Sequence, residues 1–292
     1  MPLRYLADLR SLAYGGVCVL LFVLNWRHGG FHPLLYPLLL FFSFSTAIMA
    51  HNHNHAGVFK KRWMNVVWTH FLSFFYGHPV TVWVPVHNRN HHGFVNAPGD
   101  WSVTYRATAK NNFFAVMSYN TLSSIAELKG AMRYFWSLRK KQRTEFILVA
   151  FEYALWGAIM LSFLIWDWKK SLFYLVIPGQ ITVFTIHVFN YMQHVDTDFE
   201  SRWDHSRNFT SPIMNTILFN NGYHTMHHEK AGLHWSLLKK AHGKIAKNID
   251  KRLLQWDPLI YLIQTCFFGF GPTPIRDLAS VRRRWLKSAA AA

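Results

Sequence analysis

The stretch FHPLLYPLLLFFSFSTAIMAHNHNH, residues 31–55, joins an apolar run directly to a cluster of histidines. Residues 31–50 are long enough, at about 30 Å as a helix, to cross a bilayer. If the helix continues for one more turn, His51 and His55 lie on one face with their rings about 6 Å apart. His53 points elsewhere on such a helix, beside the pair or toward solvent. A membrane span that ends in a chelating pair predicts a metal site at the membrane face.

Three further histidine clusters have metal-binding spacings and also lie at or near the ends of apolar runs. They are His87-x-x-x-His91-His92, Asn190-x-x-x-His194 and His224-x-x-His227-His228. One zinc ion takes about four ligands, so nine imidazoles are too many for one ion and suit two. A doubled histidine can face two ions at once. The lone histidines are interpreted as ordinary core or interfacial residues, among them His28, His32, His70, His78, His187, His205 and His242.

Apolar runs predict four membrane spans in two hairpins. Residues 12–26 and 31–50 are joined by RHGG, and residues 146–166 and 172–191 are joined by DWKKS. Links this short are expected between antiparallel helices. Mean hydropathy is only +0.05, so the spans must be combined with a sizeable polar part. The predicted fold class is therefore an all-α integral membrane protein, with residues 1–292 as one domain.

The positive charge of the chain is distributed asymmetrically about these spans. Net charge is +17, and 28 of the 31 Lys and Arg residues lie in segments 1–11, 51–145 and 192–292. The two-hairpin topology puts these three segments on one side of the membrane, and the positive-inside rule makes that side cytoplasmic. We therefore expect a membrane protein with both termini in the cytoplasm. No nucleic-acid reading motif accompanies the charge, which excludes a nucleic-acid partner.

The cytoplasmic segments 51–145 and 192–292 are predicted to form a cap around the histidines. Residues 63–86 and 256–272 are apolar and aromatic but broken by Gly and Pro, which favours interfacial or re-entrant segments. Residues 113–126 and 133–143 are expected to form cytoplasmic helices that lie on the membrane. The predicted cap combines these helices with the histidine clusters into a di-metal centre.

The ligand type narrows the choice of metal. Imidazole suits Zn, Cu, Fe or Ni, and thiolate ligation is not expected because Cys18 and Cys266 lie in apolar stretches. Iron(II) binds weakly among these ions and benefits from many nitrogen ligands. Nine neutral imidazoles shared by two ions therefore fit a pair of Fe²⁺ ions.

Polar residues near the clusters are candidates to support the ligands. Carboxylates could orient the ring N–H groups, and the candidates are Asp100, Asp196, Asp198, Asp204 and Glu229. Asn190 lies one turn before His194, so its amide could hold a water on a metal. Glu152 is unusual within an apolar span, and the sequence leaves open whether it pairs with a histidine or reaches the interface.

The segments HNHNH, HNRNHH, NYMQH and NGYHTMHH resemble the histidine boxes of the membrane fatty-acid desaturase and hydroxylase superfamily. The resemblance runs from about residue 45 to residue 240. The N-x-x-x-H element is similar to the additional ligand element of the stearoyl-coenzyme-A desaturases. HHEKAGLHWSLL resembles a common bacterial extension of the last box, although proline often stands where this chain has Ala231.

This resemblance implies O₂-dependent oxidation of an unactivated C–H bond in a fatty acyl chain by two iron ions. It favours introduction of a double bond, with hydroxylation, acetylenation and oxidative decarboxylation to a terminal alkene as alternatives. A small acidic ferredoxin or rubredoxin, attracted to the basic face, is the expected electron donor. A membrane zinc hydrolase needs about three histidines and leaves six unexplained. A metal transporter requires ionisable residues at the membrane midplane, whereas these clusters lie at the ends of the spans.

Overall fold

The computed structural model describes residues 1–290, with side chains through Lys287. The predicted single domain therefore extends two residues beyond the described part. The principal helices are α1 (Leu9–His28), α2 (Leu35–His55), α3 (Arg62–Tyr76), α4 (Phe113–Lys141), α5 (Arg143–Trp166), α6 (Trp168–His194), α7 (Pro212–Ile217), α8 (His224–Glu229), α9 (Leu238–Ile245), α10 (Pro258–Phe267) and α11 (Leu278–Ala290). Two short parallel strands pair, β1 (Asn208–Phe209) and β2 (Leu254–Gln255).

Shorter helical segments join these elements. Single 3-10 turns cover Leu6–Asp8, Val80–Val82, Trp235–Leu237, Ala246–Asn248 and Lys251–Leu253, a π-helix covers Val84–His91, and one α-turn covers His92–Phe94. The chain divides into two compact units. The first unit contains Met1–Val84 and Met132–Ile186, and the second contains Pro85–Ala131 and His187–Ala292.

Four helices in the described residues are long and apolar enough to cross a membrane: Leu6–His28, α2, α5 and α6. They confirm the predicted all-α chain with four candidate membrane helices. α1 ends at Gly29, whose φ of +78° is a conformation that glycine adopts without a Cβ clash. Asn25 is fully buried and donates to the carbonyls of Leu21 and Leu35, which ties the end of α1 to the start of α2.

Aromatic rings fill the core of the first unit. Phe22 contacts Phe74 and Phe163 edge-on, with both centroid separations 5.8 Å, and Trp26 contacts Phe163 at 5.4 Å. Such pairs contribute about 0.5–1.5 kcal/mol each beyond the burial of their area. Many other apolar side chains of these helices, such as Leu20 and Ile165, are exposed. Exposed apolar side chains on long helices suit contact with lipid.

The predicted interfacial segment 63–86 contains α3 and a sharp turn after it. α3 ends at Gly77, with φ +79°, and a Cβ at this position would lie 2.6 Å from Gly179 Cα in α6. Glu152, whose partner the sequence left open, accepts hydrogen bonds from Ser73 Oγ (2.8 Å) and the Thr81 N–H (3.4 Å). The carboxylate therefore helps to close the turn that follows α3.

Helix α4 differs from the prediction of separate helices at 113–126 and 133–143. The structure has one continuous helix over these residues, because the intervening ELKGAM is composed mostly of good helix formers. Gly130 is the exception, and its missing side chain has a packing reason. A Cβ there would lie 2.4 Å from the Trp101 ring, so the glycine lets the indole pack directly on the helix.

The second unit has its own small core and a polar interior. Val103, Tyr105, Leu278 and Val281 form a buried apolar cluster. Arg282 of α11 donates to the carbonyls of Tyr105 and Ala107, which fixes the terminal helix against the irregular segment before α4. α10 fills most of the predicted interfacial segment 256–272 and starts with Asp257 as its N-cap.

Candidate metal centre

The second histidine box lies on an unusual helical turn. Residues Val84–His91 form a π-helix, in which hydrogen bonds join residues five apart rather than four. His87 and His92 therefore face each other, with their Nε2 atoms 3.1 Å apart. His91 points in a different direction, and its Nε2 lies 3.0 Å from His194 Nε2. The wide turn thus separates two neighbouring histidines that the sequence places side by side.

The histidines of the last box, His224, His227 and His228, also point in two directions. α8 carries His224 and His228 on one face, with their Nε2 atoms 3.1 Å apart, as expected for residues i and i+4. His227 lies on another face, and its Nε2 is 3.0 Å from that of His92. His194 ends α6 and places its Nε2 2.9 Å from His224 Nε2.

Within the second unit the histidines therefore form two groups. One contains His87, His92 and His227, and the other contains His91, His194, His224 and His228. The ligand atoms within each group lie within 4.8 Å of one another. Metal–nitrogen bonds of 2.0–2.1 Å place neighbouring donors on one ion roughly 3 Å apart. The observed separations are close to that spacing.

The Nδ1 partners of His91 and His194 test whether the donors fit a metal. His91 Nδ1 lies 2.9 Å from Asp100 Oδ2, and His194 Nδ1 lies 3.1 Å from the carbonyl oxygen of His205. Oxygen acceptors at both positions put the ring proton on Nδ1 in each case. Both Nε2 atoms then present lone pairs to each other at 3.0 Å. Two lone pairs at this distance repel unless a cation lies between or beside them, so the group fits a metal ion.

Burial favours the neutral form of His228, one of the predicted ligands. Burial, followed by the nearby His92 and His224, lowers the pKa of His228 well below its usual 6.5. A neutral imidazole is the form that binds metal. His91, His194 and His224 are also buried, which excludes bulk water from most of this group.

Asp100 is the carboxylate that holds a ligand. Burial raises its pKa, but the interaction with His91 and hydrogen bonds from His91 and Ser102 outweigh burial and lower it to about 2. The carboxylate also accepts the backbone N–H groups of Asn96 and Ser102. A fully ionised, fully hydrogen-bonded Asp100 fixes both the tautomer and the orientation of the His91 ring.

The other predicted supporting residues have different partners. Asp196 accepts from Asn111, Asp198 pairs with Arg276, and Glu229 pairs with Arg202. Asp204 accepts from Ser201 Oγ and from the backbone N–H of Asp250. Asn190 donates to Tyr119 Oη at 2.6 Å, and this hydroxyl in turn donates to the carbonyl of Ser102.

His51 and His55 belong to the first unit. Their rings meet edge to face at 5.0 Å on the last turn of α2, which is the i, i+4 geometry that the sequence predicts. His53 points away from this pair and is buried rather than exposed. It accepts the N–H of Val58 and lies within hydrogen-bonding distance of Asn65 O and Thr69 Oγ1, so it anchors the segment between α2 and α3.

His205 is a residue that the sequence interpretation missed. It was assigned to the ordinary core histidines, yet its carbonyl accepts from His194 and its ring lies 5.4 Å from that of His228. Burial lowers its pKa to about 4. Its position in the polar run WDHSRN, between two boxes, is the sequence signal nearest to this role.

Comparison with known proteins agrees with this arrangement. A family model described as fatty acid desaturase matches residues 24–259, a range that contains all nine predicted ligands. Neither the curated proteins nor the solved structures gave a match. The family match covers well over half of the chain, and the four apolar helices agree with a membrane location. The chain therefore belongs to the fatty acid desaturase family, and with it to the membrane oxidoreductases that act on fatty acyl chains.

Proposed function

We propose that this protein uses two Fe²⁺ ions and O₂ to introduce a double bond into a fatty acyl chain. The observation that carries the proposal is the 3.0 Å separation of the His91 and His194 Nε2 atoms, together with the convergent nitrogens of both histidine groups. Two groups suit two ions. The family match supplies the fatty acyl substrate class.

We propose ligands for each ion from the two histidine groups. His91, His194, His224 and His228 would hold one ion, and His87, His92 and His227 would hold the other. His51 and His55 remain proposed as metal ligands, on the strength of their box spacing. When bound, the iron pair would supply reductive O₂ activation and removal of hydrogen from an unactivated C–H bond.

The protein itself contributes fixed orientation and exclusion of water. Asp100 holds the Nδ1–H of His91 and the His205 carbonyl holds that of His194, so both rings are preorganised. Asn190 is held by Tyr119 rather than by a ligand, and it remains proposed as a residue that positions a water. Asp196, Asp198 and Glu229 remain proposed as supporting residues, on the strength of their positions beside the boxes in the sequence.

The membrane context and the partners follow from charge and hydropathy. We propose a bacterial inner-membrane location with both termini in the cytoplasm, since 28 of 31 Lys and Arg residues lie in the segments assigned to that side. The acyl substrate would reach the site from the bilayer. The same positive charge would attract a small acidic ferredoxin or rubredoxin as electron donor.

The proposal is tested by metal analysis combined with lipid analysis. Purified protein is expected to contain two irons per chain, and gas chromatography–mass spectrometry of lipids from an expressing host is expected to show new double bonds. His194→Ala removes a nitrogen that faces two others and should abolish the product, whereas His28→Ala, an exposed histidine outside both groups, should retain it.

Other outcomes select other functions. New hydroxyl groups, triple bonds or volatile terminal alkenes would replace desaturation by hydroxylation, acetylenation or decarboxylation at the same centre. One zinc per chain with hydrolytic activity would identify a hydrolase, and variable metal loading would identify a transporter. Full product formation by His194→Ala would rule out chemistry at this histidine group.

A further inference from the structure

The segment His205–Asn208, sequence HSRN, contacts two ligand-bearing helices of the second unit. On one side it meets the end of α6, which carries His194 at its last position. The His205 carbonyl accepts from His194 Nδ1 at 3.1 Å, and the Arg207 N–H donates to the Gln193 carbonyl at 2.7 Å. Backbone groups of the segment therefore bind both the ligand itself and the residue before it.

Arg207 adds a side-chain contact to the same helix end. Its Nη1 donates to the carbonyls of Met192 (2.6 Å) and Val195 (3.0 Å), two carbonyls at the end of the helix. The guanidinium lies 4.3 Å from the centroid of the Tyr261 ring, and the side chain is only 1% exposed. A buried cation at a helix C-terminus is stabilised by the helix dipole, and a planar guanidinium can stack on an aromatic ring while one of its nitrogens donates to two carbonyls.

On its other side the segment holds α8. Asn208 Oδ1 accepts the N–H of Thr225 at 3.0 Å, and its Nδ2 donates to Thr225 Oγ1 at 2.8 Å. Ser206 adds a contact between its hydroxyl and Thr225 Oγ1 at 3.0 Å. Thr225 directly follows His224 and lies within the turn that ends at His228. The four residues thus bind α6 and α8 at the points where their histidines converge.

We propose that His205–Asn208 is a clamp that sets the register of His194 against His224 and His228, with Arg207 as its main positioning residue. The proposal rests on the metal centre proposed above. His194 belongs to one helix and His224 and His228 to another, so three of the four nitrogens in this group depend on how the two helices are held. A cluster of buried hydrogen bonds is a rigid way to hold them.

Arg207→Lys tests the clamp, because an ammonium keeps the charge but lacks the planar guanidinium that lies on the Tyr261 ring. Titration of the apoprotein with Fe²⁺ should show one ion bound as in the parent chain and the other bound about 10- to 100-fold more weakly. The visible spectrum of the Co²⁺-substituted protein should change for one of two ions. Arg282→Lys, an arginine of the same unit that donates to the carbonyls of Tyr105 and Ala107, is the matched control and should bind both ions normally.

Asn208→Ala provides a second test if Arg207→Lys fails to fold. It deletes both bonds to Thr225, and the same ion should again bind more weakly, while Asn248→Ala, an exposed asparagine, should have no effect. Unchanged affinity and an unchanged Co²⁺ spectrum in the folded variants would overturn the clamp. Equal weakening of both ions would also overturn it, since the segment would then act on folding alone. A parent chain that binds no pair of ions would instead refute the proposed metal centre.

Discussion

Each of the two units is stabilised internally by a different kind of interaction. In the first, aromatic rings such as Phe22, Trp26 and Phe163 pack edge to face, and glycines let backbones touch. In the second, buried polar groups such as Asp100 and Arg207 make several hydrogen bonds and ring contacts around the histidines. Packing of rings tolerates small displacements of its members. A polar network fixes the direction of each donor, which a metal site requires.

The strongest test of the polar network is Asp100→Asn. The amide lacks the charge that favours the His91 Nδ1–H, and its NH₂ group would face N–H donors that the carboxylate now accepts. We expect Fe²⁺ affinity of the purified protein to fall about 10- to 100-fold. Asp277→Asn is the control, because this exposed carboxylate lies at the start of α11 and asparagine caps a helix equally well. Equal iron affinity in Asp100→Asn and the parent would show that the carboxylate does not orient the ligand.

Gly77→Ala tests the close packing of the first unit. The new Cβ would lie 2.6 Å from Gly179 Cα and would occupy a residue with φ +79°. Backbone cannot move aside as a flexible side chain can, so we expect a loss of about 2–4 kcal/mol of stability, from strain and overpacking together. The measurement is thermal unfolding in detergent.

Gly16→Ala is the matched control for that substitution. Nothing lies within 4 Å of a Cβ at this position of α1, so alanine should be neutral or stabilising by up to about 1 kcal/mol. If both variants melt at the temperature of the parent, the close approach of Gly77 and Gly179 does not contribute to stability. Close backbone packing would then not be a source of stability that distinguishes the first unit from the second.

A smaller effect is expected from His242→Gln in the second unit. Burial lowers the pKa of His242 from 6.5, and its ring packs on Tyr223 at 4.8 Å. Below pH 6.5 the unfolded chain takes up a proton that the folded chain does not, so the free energy of unfolding falls as the pH falls. The variant has no imidazole at this position. The free energy of unfolding of its apoprotein should therefore decrease less than that of the parent as the pH falls below about 6.5.

His28→Gln, an exposed histidine of the first unit, is the control for the pH measurement. Its pH profile should follow that of the parent chain. Parallel profiles for His242→Gln and the parent would show that His242 titrates alike in the folded and unfolded states. Water would then reach His242 in the folded state more readily than the burial of its side chain indicates.

Local features of the sequence predicted the helices and the ligand types. Each span depends on a run of about 20 apolar residues, and the pair His51 and His55 depends on helical periodicity alone. Both features are contained within a single segment, so neither requires knowledge of distant contacts. The prediction of separate helices at 113–126 and 133–143 was wrong, because residues 113–141 form one helix in which Gly130 makes room for Trp101.

The grouping of the histidines and their supporting contacts depended on features that the sequence does not show. The π-helix decides that His87 meets His92, and no residue pattern marks it. Asp196 is near His194 in sequence, but its φ of +60° turns the chain away from the helix axis. The effective partner of His91 is Asp100, across an irregular loop, and the support of His194 comes from His205, 11 residues later.

The doubled histidines have a consequence for how two metal ions could be held here. His91 and His92 are consecutive, as are His227 and His228. Each pair contributes one ring to each of the two groups. Consecutive Cα atoms are about 3.8 Å apart, a covalent length that no substitution can alter. The peptide bond thus tethers one group to the other at two separate points of the chain. Substitutions elsewhere can therefore turn individual rings, but they leave the two groups covalently joined at both points.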